Sequence, residues 1–178
     1  MDKLTTQQRH FCMSRIKGKD TKPELIVRKF LYNHGIRYRL HKDSLPGKPD
    51  IVIGKQKIAI FVNGCFWHGH ENCKHYIIPK SNIDYWKEKI QKNRKRDARN
   101  YFLLSRLGWK NIVIWECQLS SKQREDTLMA LLVKINVAKC EQACKQTKAY
   151  TYDENDFVSD IAAEEGAKYG EDENNSHV

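Results

Sequence analysis

The sequence lacks any long apolar run. Its longest apolar stretch, Leu128 to Val133, is six residues and the next, Ile58 to Val62, is five, far short of the roughly 20 that cross a bilayer. The first twenty residues hold Lys3, Arg9, Arg15, Lys17 and Lys19 but no apolar segment, so neither a secretory signal nor a membrane anchor is expected. No internal repeat is visible. The six cysteines, at 12, 65, 73, 117, 140 and 144, are too unevenly spread to suggest a disulfide framework without an export signal, which leaves metal ligation to consider.

Negative charge is scarce except at one end. The 178 residues carry 32 Lys and Arg against 22 Asp and Glu, a net charge of +10. From Glu141 onward ten acidic residues face three lysines, so that end is −7 and residues 1–140 are +17. A body this basic suits a polyanionic partner. After Tyr152 apolar residues thin out and no periodicity could bury a face. One domain over 1–140 is therefore expected, followed by an acidic tail over 141–178 that is disordered or loosely attached. A solvated tail is the preferred reading over one that folds back on the basic face to compete with nucleic acid.

Within the body, Thr21-Lys-Pro-Glu24 combines an N-cap Thr, an early Pro and a Glu at the third helical position, predicting a helix to about His34 that Gly35 closes. Short segments rich in Ile, Val and aromatics at 36–40, 51–53, 58–62 and 111–115 read as buried strands. The four-residue Gly54-Lys-Gln-Lys57 link is short enough for a hairpin, so the sheet should be mixed, not purely parallel. Helices over about 82–107 and 122–137 would cover its faces, giving an α/β fold with a small mixed central sheet.

Along the long helix, Trp86, Ile90, Asn93, Asp97, Tyr101 and Leu104 form one stripe at helical spacing. Asn93 and Asp97 are polar residues on a core-facing stripe, and unpaired burial would cost roughly 1–3 kcal/mol each. They should meet specific partners, in structural hydrogen bonds or in an active site. Off the stripe lie Lys87, Lys89, Lys92, Arg94, Lys95, Arg96 and Arg99, a set of cations suited to phosphates.

Gly64-Cys-Phe-Trp-His-Gly-His-Glu-Asn-Cys73 follows the 58–62 strand, and Cys117 follows the 111–115 strand. Cys65, His70, Cys73 and Cys117 can surround one ion if those strands are neighbours, and a closed set of thiolates and imidazole indicates structural zinc. His68 and His75 remain alternative ligands. Phe66 and Trp67 sit inside this loop, read either as aromatic wedges for a base stack or as packing around the metal. Leu45-Pro-Gly-Lys-Pro-Asp50 delivers Asp50 to the start of an apolar strand, a framework on which restriction-type nucleases hold a divalent ion. The Asp/Glu-x-Lys that usually ends the next strand is missing; Phe61-Val-Asn-Gly-Cys65 stands there.

Ser44-Leu-Pro-Gly-Lys-Pro-Asp-Ile-Val52, Asn63-Gly-Cys-Phe-Trp-His68, Trp86-Lys-Glu-Lys-Ile-Gln-Lys-Asn-Arg-Lys-Arg-Asp97 and Gly108-Trp-Lys-Asn-Ile-Val-Ile-Trp-Glu-Cys117 together resemble the very short patch repair DNA mismatch endonucleases, over about residues 8 to 135. The resemblance implies a restriction-endonuclease-like fold and Mg²⁺-dependent nicking of one strand at T·G mismatches left by deamination of 5-methylcytosine. It implies Asp50 as the metal-binding catalytic aspartate, with the Val62 backbone carbonyl as a further Mg²⁺ ligand and His68 as the catalytic histidine. Glu24 and Asp97 would support the site, Cys65, His70, Cys73 and Cys117 would hold zinc, and Met13, Phe66 and Trp67 would be wedges. By their charge and not by the resemblance, Lys92, Arg94, Lys95 and Arg96 are expected to contact DNA phosphates. Asn63 stands where some relatives have histidine, so a role needing imidazole there is lost.

The expected partners are double-stranded DNA with a T·G mismatch, mismatch-repair proteins and a companion cytosine methyltransferase, with the protein a monomer in the bacterial cytoplasm and nucleoid. Two rivals stand beside this reading. One is a restriction-type nuclease cutting matched DNA at a specific site, and the other a zinc-dependent DNA-binding module without catalysis.

Overall fold

A computed structural model of the chain describes residues 5, 7, 8, 11, 14, 15, 18–80 and 82–148, with side chains to 144. Met13 and the segment 149–178, where a wedge and most of the acidic tail were expected, lie outside the described residues. The chain divides into two units, residues 1–138 and 139–178; the sheet and the candidate site belong to the first.

Helix α1, Lys22–Asn33, begins as its sequence dictates: the Thr21 side chain accepts a hydrogen bond from the Glu24 N–H, and Pro23 lies in the first turn. It ends at Gly35, whose φ of +68° costs glycine nothing. Strands β1 (Arg39–Leu40), β2 (Ile51–Ile53), β3 (Ile58–Asn63) and β4 (Lys110–Trp115) form one sheet in the order β1-β2-β3-β4. The β1–β2 and β2–β3 pairs are antiparallel and β3–β4 is parallel, the mixed sheet that the hairpin length predicts. The first strand is shorter than expected. Ile36 donates its N–H to the Leu31 carbonyl (3.0 Å) in closing α1, which removes that group from any ladder.

Alternation sorts the strand residues onto two faces. Ile51, Ile53, Ile58, Ile60, Ile112 and Ile114 pack with Val27 and Leu31 of α1 and with Leu128, Leu131 and Ile135 of α3, Arg124–Lys148. Val52, Ala59 and Phe61 pack with Leu104 of α2, Ile83–Arg106, and with Tyr101 and Val113. This is a restriction-endonuclease-like α/β fold, a small mixed sheet flanked by helices. Helix α3 runs beyond its expected end at about 137, because no Gly or Pro occurs between Gly108 and Gly166 to stop it.

Topology brings the chemistry to one end of the sheet. Because β2 is antiparallel to β3, the start of β2 lies beside the end of β3. Because β4 is parallel to β3, their ends coincide, with Asn63 opposite Trp115. Asp50, the Gly64–Cys73 loop and Cys117 are thus drawn together from three separate segments.

Candidate active site and metal centre

The cleft at that end has a volume of about 880 Å³, and Glu24, Asp50, Val62, Asn63, Trp67, His68, Asp97 and Tyr101 are among the residues that line it. The Val62 N–H donates to Asp50 Oδ2 at 2.7 Å and fixes the carboxylate at that end of the sheet. Burial pushes the Asp50 carboxyl above its ordinary value, and the charge of Glu24 adds to the rise. The Val62 hydrogen bond and the charges of His41 and His68 oppose it. A buried carboxylate in this condition, beside a second carboxylate, is an oxygen donor set that a hard cation relieves.

His68 Nδ1 meets Asp97 Oδ2 at 2.5 Å, with the two side chains 25% and 14% exposed. Burial would raise the Asp97 carboxyl, but the hydrogen bond and charge of His68, with those of Arg96, outweigh it and hold Asp97 below the usual carboxylate range. An ionised Asp97 is the acceptor for Nδ1–H, and in the neutral ring this leaves Nε2 as the nitrogen able to take a proton. The neighbouring polar stripe residue has a different use: Asn93 Nδ2 donates to the Trp67 carbonyl at 2.9 Å. Of the two polar residues on the stripe, one ties the loop to α2 and the other meets a histidine. Gly69 allows the loop to lie so close. Its φ is +63°, and a Cβ there would come within 2.7 Å of Ile90 Cγ2.

Glu24 is only 2% exposed, yet both its oxygens are occupied. Oε2 accepts the Asp20 N–H at 2.8 Å, while Oε1 lies 3.3 Å from Arg28 Nη1 and 3.3 Å from His41 Nε2. The His41 contact is not aligned as a hydrogen bond, and Nε2 is buried without one. Ligating atoms of Asp20, Glu24 and His41 all lie within 4.8 Å of one another. Arg28 bonds to both carboxylates and already supplies their counter-charge, so this group is an ion-pair network that runs from buried Glu24 to exposed Asp20.

Cys65, His70, Cys73 and Cys117 converge as their spacing suggests, with donor atoms all within 4.8 Å of one another. A tetrahedral ion with Zn–S bonds of ~2.3 Å sets its donors roughly 3.8 Å apart, so the cluster is compatible with a structural metal. Cys117 Sγ lies 3.4 Å from His70 Nδ1, and the His70 ring stacks on Trp115 with centroids 4.1 Å apart. His68, one of the alternative ligands, is instead turned to Asp97. Burial pushes the Cys65 thiol up to about 12, so its sulfur would ligate as a thiolate only with a cation bound to it.

Phe66 and Trp67 are half-buried. Their rings meet edge-on at 5.2 Å and both pack on Trp86, at 5.3 and 6.0 Å. On the basic face of α2, Lys92 pairs with Glu88 and Arg94 with Glu71, both at 2.6 Å, and Arg96 pairs with Asp97 at 3.1 Å. Lys95 is exposed.

Sequence reasoning missed two features. His41 has no motif to announce it. Tyr101 was visible only as an apolar member of the stripe, whereas its hydroxyl accepts a hydrogen bond from Asn63 Nδ2 at 3.0 Å. Burial raises the Tyr101 phenol above its usual range; the Asn63 hydrogen bond opposes this and the charges of Asp97 and Asp50 reinforce it, so the hydroxyl keeps its proton at neutral pH.

The family model described as "DNA mismatch endonuclease Vsr" matches residues 1–75. The type II nicking enzyme V.NmeAIP of Neisseria meningitidis is 51% identical over 121 residues, covering 68% of this chain and 86% of that protein. The type II nicking enzyme V.XorIIP of Xanthomonas oryzae is 45% identical over 67% of this chain and 87% of its own. The DNA mismatch endonuclease Vsr of Escherichia coli is 38% identical over 63% and 71%. These organisms are bacteria, and no helix among the described residues is long and apolar enough to cross a membrane.

Proposed function

The chain belongs to the family of Vsr mismatch endonucleases and nicking enzymes and is a DNA-cleaving enzyme, and from that premise we propose that it nicks one strand of duplex DNA by Mg²⁺-dependent phosphodiester hydrolysis. The observation that carries the proposal is the convergence of Asp50, Glu24, His68 and Asp97 on one cleft. Asp50 and the Val62 carbonyl would hold the ion, which supplies positive charge to the phosphate. His68, oriented by ionised Asp97 at Nδ1, takes at Nε2 the proton of the water that attacks phosphorus, while the P–O bond to the departing sugar oxygen breaks and that oxygen takes a proton from solvent water. Glu24, fixed by Arg28 and the Asp20 N–H, holds negative charge beside Asp50 and strengthens its claim on a cation. Zinc at Cys65, His70, Cys73 and Cys117 would be scaffold, since His68 lies on the loop between two of its ligands. Family membership argues against the rival of a DNA-binding module without catalysis.

For the substrate, the printed names of the Neisseria and Xanthomonas relatives, type II nicking enzymes, support site-specific nicking more directly than mismatch recognition. We take nicking at a defined short sequence as the first reading. That a T·G mispair in the site triggers the cut is the second, favoured by the half-buried Phe66–Trp67 pair, of which Trp67 lines the cleft, and by the name of the Escherichia coli relative. A companion cytosine methyltransferase that marks the same sequence fits either reading. One assay separates them: a duplex pool with randomised flanks around a central T·G pair, and its T·A counterpart, are treated with the protein and Mg²⁺ and the nicks sequenced. Equal nicking of both pools at one sequence gives the first reading, and nicking confined to the T·G pool gives the second. Intact strands in both pools would refute the activity.

Under the second reading the Phe66–Trp67 pair has a measurable consequence. Base–aromatic stacking is worth roughly 1–3 kcal/mol, so Trp67→Ala is expected to weaken T·G duplex binding about tenfold or more. The ring is half-buried, so its melting temperature should fall less than that of Leu104→Ala, a fully buried core truncation. Normal affinity in folded Trp67→Ala protein would remove the wedge.

A further inference from the structure

Asn63 and Tyr101 are unused in the mechanism above, yet both border the cleft with Asp50, His68 and Asp97. Asn63 is 5% exposed, on the last residue of β3 and next to Val62. Its amide donates to the Tyr101 hydroxyl at 3.0 Å. A phenol that accepts one hydrogen bond still has its own proton to give. That of Tyr101 lies in a site lined by carboxylates, one of which, Asp97, is already occupied by His68 and Arg96.

Tyr101 is held at its backbone, its ring and its hydroxyl. Asn111 Nδ2, on β4, donates to the Tyr101 backbone carbonyl at 2.7 Å. Phe61 meets the ring edge-on with centroids 5.0 Å apart, and Asn63 fixes the oxygen. Fixing backbone, ring and oxygen together is how a donor is pre-oriented toward charge that develops during a reaction.

We propose that Tyr101 is a further catalytic residue, whose hydroxyl donates a hydrogen bond to a non-bridging oxygen of the phosphodiester being cut, and that Asn63 is its positioning residue. The proposal rests on the nicking activity inferred above. The donor's work grows as negative charge builds on the phosphoryl oxygens, so its loss falls on the chemical step more than on duplex binding.

The test is the single-turnover nicking rate of the full chain on a duplex recovered from the pool assay and resynthesised with either a normal phosphate or a single phosphorothioate at the nick position. Tyr101→Phe keeps the ring and its contact with Phe61. It is expected to slow nicking about a hundredfold, with duplex affinity and melting temperature little changed. Sulfur accepts hydrogen bonds poorly, so one phosphorothioate diastereomer should penalise wild type more than Tyr101→Phe. Asn63→Ala should slow wild type in the same direction but add little in the Tyr101→Phe background, because Asn63 acts through the hydroxyl. Tyr101→Phe nicking at the wild-type rate overturns the proposal while leaving the nicking activity standing. Equal thio-penalties in wild type and variant, or full additivity of the two substitutions, also overturn it. A wild-type protein that nicks neither pool removes the parent reading instead.

Discussion

Asp50→Asn is expected to abolish nicking and, in the absence of divalent ions, to stabilise the protein. The first effect follows from removing the carboxylate proposed to hold Mg²⁺, whose charge stabilisation is worth several kcal/mol, or roughly a thousandfold or more in rate. The second follows from burial. The Asp50 carboxyl is raised above its ordinary 3.8, so the folded state binds this proton more tightly than the unfolded chain does. Its contribution to stability is present at low pH and lost as pH rises through the raised value, leaving an unfavourable buried charge at neutrality. Asparagine removes that charge and can still accept from the Val62 N–H. Mg²⁺ should raise the melting temperature of wild type and leave Asp50→Asn where it is.

The same cleft supplies the opposite case. Asp97 is held below 3.8, so its contribution is present above that value and lost as pH falls through the lowered one. Asp97→Asn should therefore destabilise, as well as disorient His68. Melting curves of the two variants without metal, measured beside a nicking time course, check the pair. An Asp50→Asn enzyme within tenfold of wild type, or one less stable than wild type without metal, would defeat the assignment of Asp50.

Much of the site was legible because the polar residues break patterns that the fold enforces. Asn93 and Asp97 could not sit on a core-facing stripe without partners, and they have them in the Trp67 carbonyl and the His68 ring. Cys65 and Cys117 follow strands whose parallel pairing makes their loops neighbours. What could not be read depends on contacts between distant residues with no periodic signature. The Tyr101 hydroxyl finds Asn63 thirty-eight positions away, and Trp86, one stripe residue among six, becomes the floor of the Phe66–Trp67 pair. Ile36 has the composition of a strand residue, but its N–H had already been taken by the end of α1. The extra length of α3 has a different origin: helices commonly stop at Gly or Pro, and neither occurs between residues 137 and 148.

Cys117→Ser is expected to cost the zinc proposed for the four-residue cluster, much of the stability and all of the nicking. Cys117 lies in the turn after β4, Cys65 directly after β3, and His70 and Cys73 on the loop between β3 and α2. An ion bound to all four closes that loop onto the sheet. Zinc-finger peptides gain roughly 10–16 kcal/mol from their ion; that is a ceiling here, because the two hydrophobic clusters on the faces of the sheet supply part of the folding free energy independently. The loop carries His68 and Trp67, so its release removes the proposed base from Asp97 even in molecules that stay folded, and added Mg²⁺ should not restore the rate. Zinc content per chain, melting temperature and nicking rate are measured together on Cys117→Ser, His70→Ala and His75→Ala. The first two should lose zinc and melt early, whereas His75→Ala should keep both zinc and fold, because the cluster takes its imidazole from His70. Full zinc with an unchanged melting temperature in Cys117→Ser would exclude that cysteine as a ligand, and zinc lost from His75→Ala but retained by His70→Ala would give the ligand position to the other histidine.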